Sequence, residues 1–501
     1  MSHAVRTLAA LLVAAASLLV AADVTQAQEE LSGNVLEVPA LRLAEDLRSL
    51  ESVRPGYTFW RHVFTVPDGS VAFGSAADGR LLAVLPSKGN WAADGRWIES
   101  SLASVAAGAE FPADLDGRRI RLAELLEPAV GRVQHNPTRG AFVAPSAARY
   151  GRFLAEWGSI YERFGVPAEI GLAQALIESG FDGTRRSPAR AIGFCQWLQS
   201  NWKRLDRLSD AVLESRNQTT QAPYCAAHLA ILATKYKSFI PALSDHHSGG
   251  ANVGRVLING RRLGGADVRD MYLLGSQFAR DLRQIDLYGY RDNYRTYGPR
   301  SYLYAEMVFG NMLNVRDMTA ATHQVPIYAM RTRRALRLVD ITARTGLSAD
   351  EVRRYNPALT KQVPPNADLY LPKYVKDFGE DVSFWHRSPN AAFTEALRDF
   401  QRIDVAPERW DDPQFMPVLR RFEQRFRATK TAEGAVMATM LTFAIEDAET
   451  SGRREMLTAF EASAEIRQLF ERALLQRVTT NLATLACAEG QALVDADRSA
   501  C

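Results

Sequence analysis

The spacing of apolar residues changes along the chain, and each change marks a different kind of element. Residues 8–22 are apolar almost without a break, follow Arg6 and precede the small residues Thr25 and Ala27. A basic start, a short apolar run and small residues behind it predict a cleavable secretory signal over 1–27. The run is short for a membrane span. No cysteine stands in the cleavage region, so no lipid anchor is expected, and the mature chain is read as soluble and exported. Over 55–97 the pattern alternates, in "FWRHVFTVPDGSVAFG" and "ADGRLLAVL", around Pro-Asp-Gly and Asp-Gly steps that favour tight turns. A small β-rich element is predicted there.

From about residue 146 the period becomes helical. "SAARYGRFLAEWGSIYERFG" predicts an amphipathic helix ending at Gly165, and Pro167 opens the next one. In "PAEIGLAQALIESG", Ile170, Ala173 and Ile177 with Leu172 and Leu176 form an apolar face, and Gly171, Gln174, Ala175 and Glu178 share the other side. Further helices run to about 318, broken at the glycine-rich "HHSGGANVGRV". Residues 339–372 predict a helix–turn–helix–strand unit, and the pattern is helical again after 380. The expected fold is mainly α. Its regions are a β-containing 28–140, a helical 141–320, a small unit at 325–375 and a helical 376–501.

Composition narrows this picture only a little. With 501 residues, 47% hydrophobic and 23% charged, the chain suits about two to four globular domains. A net charge of +3 gives no reason to expect nucleic acid as a partner. Export makes disulfides feasible for the four cysteines. Cys487 and Cys501 could close a short C-terminal loop, Cys195 and Cys225 could pair near Glu178, and spacing alone leaves the connectivity open. No Cys-x-x-Cys pair or His/Cys cluster has the spacing of a zinc site.

Glu178 stands at the C-terminal end of its predicted helix, where the helix dipole disfavours a negative charge. Apolar neighbours act in the same direction. Its pKa is therefore expected to be raised and its carboxyl protonated near neutrality, as a general acid for glycosidic cleavage requires.

The residues that follow carry a resemblance. Glu178, Ser179, Phe181, Ser187, Ala191, Gly193 and Gln196 stand at the distances of the Glu-Ser-x-Phe, serine and Ala-x-Gly-x-x-Gln motifs of soluble-type lytic transglycosylases. The chain resembles this lysozyme-like, goose-type family of peptidoglycan-cleaving enzymes, most nearly the membrane-bound D type, over roughly 145–375. Ser248 and Gly249 match the family's Ala-Tyr-Asn-Ala/Ser-Gly motif, but His246 and His247 replace its tyrosine and asparagine and Asp245 its alanine. Tyr302 in "PRSYLYAEMVFGN" matches a later tyrosine motif that lacks its opening glutamate, and 339–372 is similar to a LysM unit without a clear first half.

The resemblance implies an enzyme in which Glu178 acts alone, first as acid and then as base, on the bond between N-acetylmuramic acid and N-acetylglucosamine. The products would carry 1,6-anhydromuramoyl ends, and no metal or organic cofactor would be needed. It implies peptidoglycan glycan strands as the partner and the periplasm as the location. Envelope proteins could dock on 28–140 or 376–501. Ser187 and Gln196 are expected to hold the sugar or orient Glu178, with loop capping as their alternative use. Gly193 would admit close backbone approach at the cleft, and Phe181 is read as a core residue. Tyr302 is the expected sugar-stacking tyrosine. Adjacent helical histidines point about 100° apart and chelate poorly, so His246 and His247, with Ser248, are read as sugar contacts rather than metal ligands. Asp245 is the candidate second carboxylate, which facing Glu178 would make the enzyme a hydrolase. A lysozyme-like muramidase and an inactive wall-binding scaffold are the alternatives.

Overall fold

The computed structural model describes residues 35–294, 299–382 and 390–477. The predicted signal segment, Cys487 and Cys501 lie outside them. The chain is mainly helical, 65% helix against 9% strand, as the apolar spacing predicts. Among the described residues no helix is long and apolar enough to cross a membrane.

Helix α1 (Glu37–Val53) comes first and buries Leu50 and Asp46. Strands β1 (Ser70–Ser75), β2 (Leu81–Pro86), β3 (Arg96–Trp97) and β4 (Val133–Pro137) then form an antiparallel sheet in the order β3-β2-β1-β4. Val71 faces Leu85 across the β1–β2 pair, and Gly79 takes a positive φ of 73° in the turn between them. Helix α2 (Leu115–Val130), capped by Asp114, closes a small core of Val71, Phe73, Leu85, Trp91, Leu122 and Leu126. The region expected as one N-terminal unit, 28–140, therefore contributes to three cores, one of them formed by Phe59, Trp60, Val63 and Phe64 with Ala72 of β1. Its sheet has its own, whereas Val35 and Leu50 join the central one.

That central core runs from Val35 to Ala473. Helices α3 (Leu154–Arg163) and α4 (Ala168–Ser179) cross where Gly171 faces the Tyr161 ring; a Cβ there would lie 2.1 Å from Tyr161 Cδ1, so only glycine permits the approach. Gly180, at φ 61°, ends α4 in the left-handed conformation usual for a helix terminus. Helix α5 (Gln218–Tyr236) runs through the interior with nearly every residue buried. Helices α6 (Phe239–Ser248) and α7 (Gly250–Arg262) are separated by Gly249 at φ 82°, which is the break predicted from sequence. Helices α8 (Val268–Ile285) and α9 (Tyr304–Ala320) complete the frame.

Residues 328–381 form a separate small core around Met330, Ile341, Val352 and Leu369. A three-stranded sheet carries helices α10 (Leu338–Thr345) and α11 (Ala349–Tyr355), the second opened by a Ser348/Glu351 capping box. The unit docks on α5 through a Tyr370–Thr220 hydroxyl contact of 2.6 Å and through Asn217 Nδ2 donating to Tyr355 O at 3.2 Å.

The C-terminal helices, α12 (Ala391–Gln401), α13 (Met416–Ala428), α14 (Ala432–Thr450) and α15 (Arg453–Ala462), pack back on the central core. Phe443 stacks on Trp197, and Arg163 pairs with Glu433 at 3.0 Å. The start of the described chain also meets the end of α12 directly: Arg42 Nη2 donates to Gln401 O, and Gln401 Nε2 donates to Val35 O at 3.0 Å. Asp46, fully buried, accepts from Arg269 Nε, Ser238 Oγ and Phe239 N, each at 2.6 Å. Breaking such a buried pair by removing one partner costs about 3–5 kcal/mol.

Candidate functional site

Glu178 occupies the last turn of α4 with 15% of its side chain exposed. Three side chains meet its Oε1. Tyr304 donates its hydroxyl at 2.5 Å, and His246 Nε2 and His247 Nδ1 each stand 3.9 Å away. The histidines come from the last turn of α6 and the tyrosine from the first residue of α9. Three separate helices thus supply one cluster around a single carboxylate.

Each partner is held in turn. His246 is nearly buried and its Nε2 lies 2.9 Å from the Cys195 carbonyl, an acceptor that fixes a proton on that nitrogen. Burial lowers the His246 pKa against the opposing pull of Glu178. His247 is 32% exposed, stacks on the Tyr304 ring at 4.3 Å and places Nε2 3.2 Å from Ser301 Oγ. Burial and the Glu178 charge push the Tyr304 hydroxyl well above its usual range, which keeps it a donor. Gln174, one turn before Glu178 and 1% exposed, lies beside it.

The electrostatics correct one expectation. Burial does push the Glu178 carboxyl upward, as apolar surroundings should, but His247, His246 and the Tyr304 hydroxyl outweigh it. The net pKa lies below the usual carboxylate value instead of above it. The reading from sequence counted the helix end and the apolar neighbours and had no means of placing two imidazoles and a phenol on the same oxygen.

Ser187 and Gln196 serve the loop that follows α4. Ser187 Oγ accepts from Ala191 N at 3.0 Å, and Gln196, at φ 50°, donates Nε2 to Arg185 O and Gly193 O at 3.1 and 3.0 Å. These bonds shape the turn whose ends, Ala191–Ile192 and Trp197–Leu198, pair as short strands. This is the loop-capping alternative. Gly193 does not open a cleft: at φ 89° it rests on the buried Gln221 amide, which accepts from Phe194 N at 2.8 Å. Phe181 is fully buried against Trp157 and Phe194, as read from sequence. Cys195 and Cys225 form a disulfide tying the loop to α5.

Three further site expectations do not survive the geometry. Asp245 is committed elsewhere, accepting from Tyr236 Oη at 2.6 Å with Lys235 Nζ at 3.5 Å, so it does not act as a second carboxylate beside Glu178. Ser248 is buried and donates back to Ser244 O at 2.8 Å within its own helix. Tyr302 is 2% exposed and packs edge-on against Tyr294, away from sugar-stacking surface. The tyrosine that reaches Glu178 is Tyr304, two residues later and, on a helical winding, roughly 200° around.

Sequence reasoning also missed what sets the position of Tyr304. Glu306, two residues further along α9, pairs in the interior with Arg54, which follows α1. Arg54 Nη2 further donates to Leu273 O at 2.9 Å and Ser276 Oγ at 2.6 Å. No motif or periodicity signals a pairing between residues so distant in the chain. Among the described residues no group of three His, Cys, Asp or Glu side chains is arranged to hold a metal ion. No protein-family model matches the chain, and no curated protein matches it either.

Proposed function

We propose that this protein is an exported peptidoglycan lytic transglycosylase of lysozyme-like fold acting in the periplasm, with 325–375 as a LysM-like unit. The observation that carries the reading is one carboxylate, Glu178, at the meeting point of Tyr304, His246 and His247, with the nearby Asp245 turned to other partners. A single acid/base is what a non-hydrolytic cleavage needs, since two separate steps use it in opposite senses.

In the first step protonated Glu178 gives its proton to the glycosidic oxygen as the bond from that oxygen to the muramoyl anomeric carbon breaks. The substrate's acetamido group stabilises the cationic sugar. Glu178, now ionised, takes the proton of the muramoyl 6-hydroxyl as that oxygen bonds to the anomeric carbon. The carboxyl ends as it began, and no water is consumed. Tyr304 on Oε1 holds the group during both transfers and leaves Oε2 for the substrate. The depressed pKa keeps the free carboxyl ionised and makes loading of the first proton depend on acidity.

The test is mass analysis of fragments released from purified sacculi by the wild type and by Glu178→Gln. Anhydromuramoyl ends lost in the variant support the proposal. Reducing ends would replace it with a muramidase, and sacculus binding without release would replace it with a scaffold.

A further inference from the structure

One buried polar side chain beside the site has no use in the chemistry above. Gly171, Gln174 and Glu178 stand three and four residues apart on α4 and so share one stripe of the helix. Gly171 lets the Tyr161 ring of α3 lie against that stripe, and α9 packs against α4 and brings in Tyr304. Gln174, Tyr161 and Tyr304 are all buried. Three polar atoms here have no hydrogen-bond partner among the described residues: Gln174 Oε1, Gln174 Nε2 and Tyr161 Oη. Leaving both ends of a buried amide unpaired is costly, and leucine, as at Leu172 and Leu176, would fill such a position without that cost. Packing alone gives no account of the amide.

The donor and acceptor types are complementary. Tyr304 gives its one hydroxyl hydrogen to Glu178 Oε1, which leaves the phenol oxygen as an acceptor. Burial and the Glu178 charge raise the Tyr304 pKa, and Gln174 is near enough to oppose them, although no full hydrogen bond is closed between the two. Tyr161 also acts on the Tyr304 hydroxyl, and its own O–H is a donor without an acceptor. With the Tyr304 hydrogen already committed, a single direction of hydrogen bonds engages all three unpaired atoms. It runs from Tyr161 Oη to Gln174 Oε1, from Gln174 Nε2 to Tyr304 Oη, and from Tyr304 to Glu178.

We propose that Gln174 is a positioning residue for Glu178 that acts through Tyr304, accepting the Tyr161 hydroxyl at Oε1 and donating Nε2–H to the Tyr304 oxygen. A phenol whose oxygen accepts a hydrogen bond is the stronger donor, because bonds in such a chain polarise one another in one sense. The chain fixes Glu178 Oε1 from within the core and keeps the transferred proton on Oε2, the oxygen left for the substrate. The inference rests on the reading of Glu178 as the acid and base of glycan cleavage.

The test compares Gln174→Leu, Gln174→Met, Tyr161→Phe, Tyr304→Phe and the double variant Gln174→Leu/Tyr304→Phe in the full chain by two readouts. One is titration of the Glu178 carboxyl by carbon-13 NMR of glutamate-labelled protein, assigned as the resonance lost in Glu178→Gln. The other is anhydro-end release from soluble glycan strands, resolved into kcat and KM. His246 and His247 face the carboxyl from α6 and stay in every variant, and Tyr304 faces it from α9. Gln174→Leu should raise the Glu178 pKa, because a weaker donor at Tyr304 favours the ionised form less. It should lower kcat at the pH optimum about tenfold with KM unchanged. Gln174→Met should do the same and carries the test if the leucine variant fails to fold, and Tyr161→Phe should move both readouts the same way by less. In the Tyr304→Phe background Gln174→Leu should add nothing, since its effect passes through the hydroxyl already removed. An unshifted carboxyl, or equal losses in the two backgrounds, would overturn the proposal and leave Gln174 as packing. The two readings fail separately. A titration that shifts in a protein releasing no anhydro ends overturns the lyase and supports the chain, whereas release with an unshifted titration overturns the chain alone.

Discussion

The two walls around Glu178 are built on different principles. On one side the loop 182–198 holds the residues that match a motif, and they spend their polar groups on one another: Ser187 on Ala191, Gln196 on Arg185 and Gly193. On the other side α6 and α9 present His246, His247 and Tyr304, which depart from the motif or stand beside it, and these converge on the carboxylate. The difference teaches that a recurring pattern can mark the scaffold of a site more than its chemistry. The charge state of Glu178 is set by the wall that the pattern does not describe.

Substitutions should separate the two walls. Glu178→Gln removes the proposed acid/base and should lower the rate of glycan release by about 10³-fold, within the usual range for a general acid, with thermal unfolding little changed. Tyr304→Phe deletes one hydrogen bond to a charged group and should reduce the turnover rate roughly 10- to 100-fold. A silent Tyr304→Phe would mean that the second wall is not catalytic and the comparison fails.

On the first wall Gln196→Ala removes two donor contacts and should cost about 1–2 kcal/mol in urea unfolding, with activity falling only as the loop loosens. A drop in rate as large as that of Tyr304→Phe with unchanged stability would place Gln196 on the substrate instead. The smallest effect is on pH. His247→Gln removes the leading influence that holds Glu178 down, so burial should raise its pKa and the protonated form should persist to higher pH. The pH profile of kcat/KM should shift upward accordingly. Stability carries the same sign: the depressed carboxyl contributes stability above its ordinary value and loses it as pH falls through the folded one, and the variant should weaken that acid dependence.

Much of the fold was legible because it follows from local pattern. Alternation over 55–97 marks strands β1 and β2, Gly165 and Pro167 mark the junction of α3 and α4, and Gly249 marks the break between α6 and α7. Glu178 was legible from its place at a helix end. What was hidden is what depends on packing across the chain. Tyr302 and Tyr304 are indistinguishable in a tyrosine-rich stretch until the start of α9 turns one inward to the core and the other toward Glu178. Asp245 looked available because nothing in the sequence pairs it with Tyr236, nine residues before it on a different helix. The placement of α1 in the central core, apart from the sheet that follows it, depends on partners such as Arg269 and Gln401 far downstream.

The pairing of Arg54 with Glu306 spans 252 residues, and the contact of Gln401 with Val35 spans 366. Contacts of such separation must be closed against the entropy of the whole intervening chain, and they form late. A chain that emerges from its N-terminus would hold Arg54 waiting for Glu306 of α9, and Val35 and Arg42 waiting for Gln401 of α12. Assembly of the cluster around Glu178 is thus tied to contacts far apart in the chain, and removing α1 or α12 should loosen it.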